Sequence, residues 1–178
     1  MSGWKPGDRH RRTDAMIRVD QAGEYGATRI YAGQLAVMGD RGAAAREIAG
    51  MAQQEERHRA FFDRMIAERG VRPTVLQPFW NMAGFALGAV TAALGPEAAM
   101  ACTAAVETEI DRHYTAQLAE LGDSDPELSA AIADFQADEL EHRETALASG
   151  AERAPAYSLL SGAIRLGCRV AIAVSQRV

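Results

Sequence analysis

The chain has 178 residues, which is enough for one domain with a substantial core. Hydrophobic residues make up 48% of it and aromatic residues only 6%, and the formal net charge of -5 argues against a nucleic-acid partner. The two cysteines, Cys102 and Cys168, lie in apolar stretches and do not indicate a disulfide framework, so a reducing compartment is expected. Residues 1–12 have no apolar core, and no secretory signal is expected.

Four long helices are predicted, because apolar residues recur at helical spacing between glycines and prolines that mark the helix ends. Their approximate bounds are residues 14–38, 42–69, 96–122 and 126–150. Residues 1–13 are expected to form a flexible tail, and residues 14–178 a single domain. The connections after the first and third helices are short, which predicts two antiparallel hairpins.

The second and fourth helices each carry a Glu-x-x-His motif, at Glu55–His58 and Glu139–His142. This spacing places a carboxylate and an imidazole on one face of a helix. A single glutamate precedes each motif in the neighbouring helix, Glu24 by 31 residues and Glu107 by 32 residues. All four glutamates fall on stripes that otherwise carry Ile, Leu, Met and Phe, where an unpaired carboxylate is costly.

Four carboxylates and two imidazoles on four helices form the ligand set of a ferritin-like di-iron or di-manganese site. Oxygen donors with histidine suit iron or manganese, and the absence of thiolates argues against structural zinc. The predicted metal ligands are Glu24, Glu55, His58, Glu107, Glu139 and His142. The alternative, Glu–His pairs on solvated helix faces, requires the apolar stripes to be misassigned.

Other residues near the motifs are less specific. Asp138 could orient an imidazole or could be a solvated helix residue. Tyr114 lies two turns beyond the third helix's glutamate, where it could contact substrate, relay electrons or simply fill the core. His113 is expected to face outward. The glutamates next to the ligands in sequence should point elsewhere: Glu56, Glu109 and Glu141.

The crossover between the hairpins contains an uncharged apolar segment, residues 78–94, which is interrupted by Gly84 and Gly88. It is a little short of the ~20 residues needed to span a bilayer, and a span would separate the two hairpins. We therefore predict a short helix in the membrane interface or against a hydrophobic pocket, with an ordinary buried crossover helix as the alternative. A substrate channel from the membrane face to Glu24 and Tyr114 is expected to be lined by Phe79, Trp80, Phe85 and Leu87.

The C-terminal segment, residues 155–178, predicts a basic amphipathic helix that suits an anionic membrane surface. Arg165 and Arg169 lie on its polar side and are expected to bind lipid headgroups. A fifth helix packed on the bundle is the alternative. The expected fold class is thus all-α: a ferritin-like four-helix bundle of two antiparallel hairpins with a long hydrophobic crossover, plus short membrane-interfacial helices.

Five segments of the chain resemble the demethoxyubiquinone hydroxylase family of ubiquinone biosynthesis. They are VDQAGEYGA (19–27), PFWNMAGFALGAVTAALG (78–95), ACTAAVETEIDRHY (101–114), DELEHRE (138–144) and PAYSLLSGAIRLGCRVAI (155–172). The resemblance covers nearly the whole chain after residue 13 and implies a ferritin-like monooxygenase with two Fe ions in a carboxylate-bridged centre. The family's six ligands fall on the six residues named above, and its active-site tyrosine on Tyr114.

The resemblance also implies the reaction: O2-dependent ring hydroxylation of a polyprenylated methoxy-methyl-benzoquinol, demethoxyubiquinol. The enzyme would be a peripheral membrane protein on the cytoplasmic face of a bacterial inner membrane. Its expected partners are the quinone and the lipid surface, and an accessory lipid-binding protein of the pathway and a homodimer are further candidates. No glycine-rich dinucleotide fingerprint occurs, so the reductant is open between NADH, a separate reductase and the bound quinol.

Two other functions compete with the hydroxylase. A ferritin-like iron-storage or peroxide-scavenging protein shares the ligands but needs neither the apolar crossover nor the amphipathic tail. A metal-free, membrane-associated helical adaptor would need neither iron nor manganese. Metal analysis and subunit assembly distinguish these from the hydroxylase.

Overall fold

The structure of the protein is a computed structural model that describes residues 6–40 and 42–178. Within these residues all regular structure is helical, which confirms the predicted all-α class. The elements are α1 (Pro6–Met38), α2 (Ala43–Arg69), α3 (Gln77–Ala93), α4 (Pro96–Leu121), α5 (Pro126–Ala148), a 3₁₀ turn (Ala151–Arg153) and α6 (Tyr157–Ser175).

The first helix begins earlier than the predicted Asp14. It starts at Pro6, so residues 6–13 of the expected tail are helical, and residues 1–5 lie outside the described residues. This polar stretch lacks the apolar periodicity on which the prediction relied. Extending an existing helix costs far less than starting one, and Arg12 forms a surface ion pair with Glu120 of α4 at 3.2 Å.

The two predicted hairpins pair directly, α1 with α2 and α4 with α5. Their ends follow from local chemistry. Gly70 closes α2 in the left-handed region, at φ 64°, and its backbone N–H donates to the Ile66 carbonyl. The Asp125 carboxylate caps α5 by accepting the backbone N–H of Leu128 at 3.1 Å. Arg69 then links the two hairpins by an ion pair with Asp125.

The crossover helix α3 packs against α1 so closely that their backbones touch. A Cβ atom on Gly88 would lie 1.9 Å from the Ile30 carbonyl oxygen, and one on Gly33 would lie 2.1 Å from the Phe85 carbonyl oxygen. Only glycine permits this approach. The opposite face of α3 is exposed, with Met82 at 75%.

The apolar core forms three clusters, and two of them lie toward opposite ends of the four bundle helices. One cluster includes Tyr31, Ile48, Met51 and Met100, and the other includes Ile17, Phe62, Leu128, Ile132 and Phe135. Burying each large aliphatic or aromatic side chain contributes about 1.5–3 kcal/mol. The inward-facing glutamates and histidines lie between the clusters, at the middle of each helix.

The last helix, α6, is attached to the bundle mainly through α4. Only Ile164 and Ser175 of its residues are buried. Ser175 accepts a hydrogen bond from the Trp80 indole N–H of α3 at 3.1 Å. Among the residues that the structure describes, α6 alone is long and apolar enough to cross a membrane.

Candidate metal centre

The six predicted ligands meet in the middle of the bundle, and each is at most 2% exposed. They form two overlapping groups whose ligand atoms all lie within 4.8 Å of one another. The groups are Glu24, Glu55, His58 and Glu139, and Glu55, Glu107, Glu139 and His142. Glu55 and Glu139 belong to both groups and therefore lie where carboxylates could bridge two ions.

Each imidazole faces two carboxylates through its Nδ1 atom. His58 Nδ1 lies 3.1 Å from Glu139 Oε1 and 3.5 Å from Glu24 Oε2. His142 Nδ1 lies 3.2 Å from Glu139 Oε2 and 3.3 Å from Glu55 Oε1. The helical spacing of the motifs thus brings groups from four helices together around one small volume.

The outer nitrogen of each imidazole has a hydrogen-bond acceptor. His58 Nε2–H donates to Asp138 Oδ2 at 2.9 Å, and His142 Nε2–H donates to Gln54 Oε1 at 2.7 Å. These bonds direct each Nδ1 atom inward, where its lone pair becomes available to a metal ion once any proton on it has left. The orienting alternative for Asp138 is confirmed, whereas the contribution of Gln54 was not predicted.

Two buried tyrosines complete the polar cluster. The Tyr114 hydroxyl donates to Glu24, and the Tyr31 hydroxyl donates to Glu107 Oε1 at 2.8 Å. The Tyr31 contact was not predicted, although a signal exists: each tyrosine follows the glutamate of its own helix by seven residues. Each bonds the glutamate of the other hairpin.

Without a bound cation, burying ionised carboxylates this close together costs free energy. Burial and neighbouring carboxylates raise the pKa of Glu55 and Glu107 well above the ordinary value, and burial also raises the pKa of Glu139. Burial lowers the pKa of His58, but contacts with Glu139 and Glu24 outweigh it and raise that pKa to about 10. Burial lowers the pKa of His142. Protons therefore partly neutralise the cluster when no metal does.

The donor atoms fit a pair of hard divalent ions. Within the described part of the chain, more than half of the buried side-chain atoms without a hydrogen-bond partner belong to the six predicted ligands: Glu24 Oε2, both Glu55 oxygens, His58 Nδ1, Glu107 Oε2, both Glu139 oxygens and His142 Nδ1. Unpartnered buried polar atoms are rare and costly in proteins. Their clustering, with oxygen and imidazole donors, suits iron or manganese.

His113 does not face outward as predicted. Its Nε2–H donates to Asp20 Oδ1 at 3.1 Å, and Gln117 donates to the same oxygen at 2.8 Å. Asp20 is 2% exposed, and burial raises its pKa. The prediction was wrong because it considered α4 alone, whereas α1 supplies a buried carboxylate on that side.

The neighbouring glutamates point away from the ligands, as predicted, but Glu109 has an unexpected position. It is 2% exposed, and its Oε1 atom lies 2.7 Å from Arg165 Nε of α6. Arg169 and Arg112 lie 3.8 Å and 3.4 Å from its other oxygen. The two α6 arginines expected to face lipid are therefore engaged with a buried carboxylate.

An apolar cavity of about 470 Å³ lies between α1, α3, α4 and α6. Trp80 and Leu87 line it as predicted, but Phe79 and Phe85 do not. Phe79 is 58% exposed, and Phe85 packs under the Arg29 guanidinium. The prediction failed for these two because the cavity-facing positions of α3 follow helical spacing from Trp80.

The cavity approaches the predicted ligands along two helices. Gly23 of α1 and Val106 of α4 line it, and each immediately precedes a predicted ligand in sequence. On α6 the wall includes Ile164 and Cys168. The polar cluster and the apolar cavity are thus neighbours within one bundle.

The chain is similar to one family model and to several named hydroxylases. A sequence model of the family described as ubiquinone biosynthesis protein COQ7 matches residues 11–175. A 3-demethoxyubiquinol 3-hydroxylase of Rhodospirillum rubrum is 55% identical, covering 93% of this chain and 78% of the relative. A mitochondrial NADPH-dependent 3-demethoxyubiquinone 3-hydroxylase of Homo sapiens is 52% identical, covering 93% and 77%. A mitochondrial 5-demethoxyubiquinone hydroxylase of Saccharomyces cerevisiae is 41% identical, covering 93% and 78%.

Proposed function

Since the chain belongs to the family of ubiquinone biosynthesis protein COQ7, we propose that it is a 3-demethoxyubiquinol 3-hydroxylase. It adds one oxygen atom from O2 to the ring of a polyprenylated methoxy-methyl-benzoquinol, and two electrons from a reductant and two protons convert the other oxygen atom to water. The observation that supports this most directly is a buried Glu/His cluster with unpartnered donor atoms beside an apolar cavity. The cluster suits oxygen chemistry and the cavity suits a lipid-like substrate.

Two iron ions are the proposed cofactor. Glu24 and His58 would hold one ion, Glu107 and His142 the other, and Glu55 and Glu139 would serve both. When bound, the pair of ions supplies the redox chemistry that O2 activation requires. The protein's own share is to fix the ligand orientations and to keep the site dry.

Tyr114 is the proposed catalytic tyrosine. Burial and the neighbouring Glu24 raise its pKa well above the ordinary value, so Oη keeps its proton at neutral pH. It donates that proton in a hydrogen bond to Glu24. The apolar cavity would bind the substrate tail, gaining about 25 cal/mol per Å² of apolar surface buried.

The names of the relatives indicate a class of reductant and a location. Several relatives are named as NADPH-dependent, and we propose that a nicotinamide nucleotide supplies the electrons, with NADH as one candidate. The eukaryotic relatives are named as mitochondrial. The exposed apolar faces of α3 and α6 support peripheral attachment to a membrane, which in a bacterium would be the inner one. An accessory lipid-binding protein and a homodimer are further candidate partners.

Iron storage or peroxide scavenging is the second candidate function. It would use the same ligands but would leave the apolar cavity without a purpose. Sedimentation of the purified protein distinguishes the two, because storage requires a cage of many subunits. A metal-free adaptor would contain no iron or manganese after purification.

The decisive experiment is mass spectrometry of the quinone pool in cells that lack the protein. We expect the demethoxy intermediate to accumulate and the wild-type chain to clear it. Glu107→Gln should not clear it and should lower the iron content from about two ions per chain, as should His58→Ala and His142→Ala. Glu120→Gln is the matched control, since Glu120 lies on the same helix but pairs with Arg12 at the surface. No accumulation of the intermediate would overturn the proposal.

A further inference from the structure

The two hairpins place equivalent residues around the metal centre, with one chemical difference. In each hairpin, the residue directly before the glutamate of the Glu-x-x-His motif bonds the imidazole of the other hairpin. This residue is Gln54 in the first hairpin and Asp138 in the second. His142 is therefore bonded to a neutral amide, whereas His58 is bonded to a carboxylate.

The tyrosines do not share this difference. Tyr31 and Tyr114 occupy equivalent positions, and each donates to the glutamate of the opposite hairpin. Both positions therefore have a hydroxyl donor to the terminal carboxylate. The two imidazoles therefore differ in the charge of the group that accepts their outer N–H. This group is a carboxylate at His58 and a neutral amide at His142.

Groups around Asp138 hold its carboxylate in place. Arg57 forms an ion pair with it and also contacts Asp134 at 3.0 Å. Phe135 stacks on the His58 ring at 4.1 Å between centroids. The guanidinium withdraws some charge from Asp138, but it also fixes the carboxylate on the His58 N–H.

A carboxylate behind an imidazole makes the inner nitrogen a stronger donor than an amide does. It also holds the ring in one tautomer. Removing such a group typically lowers metal affinity by about 10–100-fold. Two otherwise matched metal positions should then differ in affinity by a similar factor.

We infer that Asp138 is a positioning residue that makes the two metal positions unequal. The position at His58 binds its ion first and more tightly, and the position at His142 fills second. This inference rests on the proposed function only in assuming that two ions bind. It assigns the order of loading to one residue outside the ligand set.

Metal titration of the metal-free protein tests the order directly. Anaerobic calorimetry with Fe(II), and visible absorption with Co(II), should show two unequal binding steps. Asp138→Asn keeps a hydrogen-bond acceptor but removes the charge, as at Gln54. It should weaken the tighter step by about 10–100-fold and bring the two steps together.

Two further variants separate this role from damage to the fold. Asp134→Asn is the matched control, because Asp134 shares the Arg57 contact and is 63% exposed without a bond to either histidine. It should leave both steps unchanged. Gln54→Glu is the reciprocal variant and should tighten the weaker step, which tests the inference even if Asp138→Asn does not fold.

For a parent protein that does bind metal, three outcomes would overturn the inference. They are two equal steps in the parent protein, an unchanged tighter step in Asp138→Asn, and an unchanged weaker step in Gln54→Glu. Failure of the proposed function gives a different result, since it would leave the quinone pool of deletion cells normal while the metal steps stayed unequal. A parent protein that binds no metal overturns both.

Discussion

At the scale of single residues, burying the Glu/His cluster costs electrostatic free energy in the metal-free protein. Glu55, Glu107 and Glu139 are fully or almost fully buried among apolar clusters. Burial raises the pKa of each, so protons remain bound to them in the folded state above the pH at which they leave the unfolded chain. Folding therefore competes with ionisation at this site.

This competition predicts how the stability of the metal-free protein depends on pH. A carboxyl group whose folded pKa is raised stabilises the fold below the unfolded value of 4.5, and that contribution is lost as pH rises. Asp20 acts in the same direction, and so does His58 on the approach to its folded pKa of about 10. His142, whose pKa is lowered by burial, acts in the opposite direction.

We expect the melting temperature of EDTA-treated protein to fall from pH 5 to pH 8. For a domain of this size, each kcal/mol lost lowers it by about 2–4 °C. Iron-loaded protein should show a smaller decrease, because bound metal replaces the protons. Scanning calorimetry of both forms measures this, and a metal-free protein that becomes more stable toward pH 8 would contradict it.

The convergence of the six proposed ligands could be predicted because helical spacing is local information. Glu55 and His58 share a face of α2 whatever the rest of the chain does. The bonds from Tyr31 and Gln54 could not, because their acceptor or donor lies on the other hairpin. The same limit applies to the bond between Glu109 and Arg165, which is 56 residues away along the chain.

At the scale of helices, the contact between α1 and α3 depends on glycine. Gly33 and Gly88 lie where the two backbones meet, and a methyl group at either would overlap a carbonyl oxygen. The sequence showed that glycines interrupt residues 78–94, but it did not show the partner helix. The angle and distance at which two helices cross depend on the side chains of both. The hydrophobic periodicity of one segment therefore cannot predict them.

We expect Gly88→Ala to destabilise the protein, because the Ile30 carbonyl oxygen would have to move to admit a Cβ atom. Gly50→Ala on α2 is the matched control, since a Cβ there meets nothing within 4 Å. That control should instead stabilise the protein by about 0.4–1 kcal/mol. Urea denaturation midpoints measure both changes, and equal stabilisation of the two variants would contradict the packing described here.

Helix α6 was predicted correctly as a helix, but the role of its arginines was not. Its amphipathic pattern predicted a helix, and the structure has one over Tyr157–Ser175. The pattern did not reveal that Arg165 and Arg169 pair with Glu109 of α4. The helix therefore presents mainly aliphatic side chains to its surroundings, including Leu159, Leu166 and Val170.

At the scale of the whole molecule, this arrangement changes the expected basis of membrane binding. We expect the triple variant Leu159→Ser, Leu166→Ser and Val170→Ser to weaken liposome binding by at least about tenfold, since each buried leucine contributes about 1.5–3 kcal/mol. Salt should have a smaller effect, because the Glu109 carboxylate offsets part of the charge of Arg165 and Arg169. Leu147→Ser on α5 is the control, and flotation assays at two salt concentrations measure the difference. Strong salt sensitivity would instead support the prediction that Arg165 and Arg169 bind lipid headgroups.

The cavity of about 470 Å³ gives a test that separates tail binding from chemistry. Leu87 lines the cavity, whereas Phe79 lies on the same helix and is 58% exposed. A charge at Leu87 would lie in the path proposed for the polyprenyl tail, where apolar burial contributes about 25 cal/mol per Å². Leu87→Asp should therefore impair turnover of long-tailed quinols more than turnover of a short-chain analogue.

Phe79→Asp should change neither substrate's turnover in detergent, because its side chain does not face the cavity. Quinol hydroxylation by the purified iron-loaded enzyme, followed by mass spectrometry with both substrates, measures the effect as a ratio of kcat/KM values. Equal losses on the long and short substrates would mean that Leu87→Asp damages the fold. The tail would then have to follow another path from the lipid to Glu24 and Tyr114.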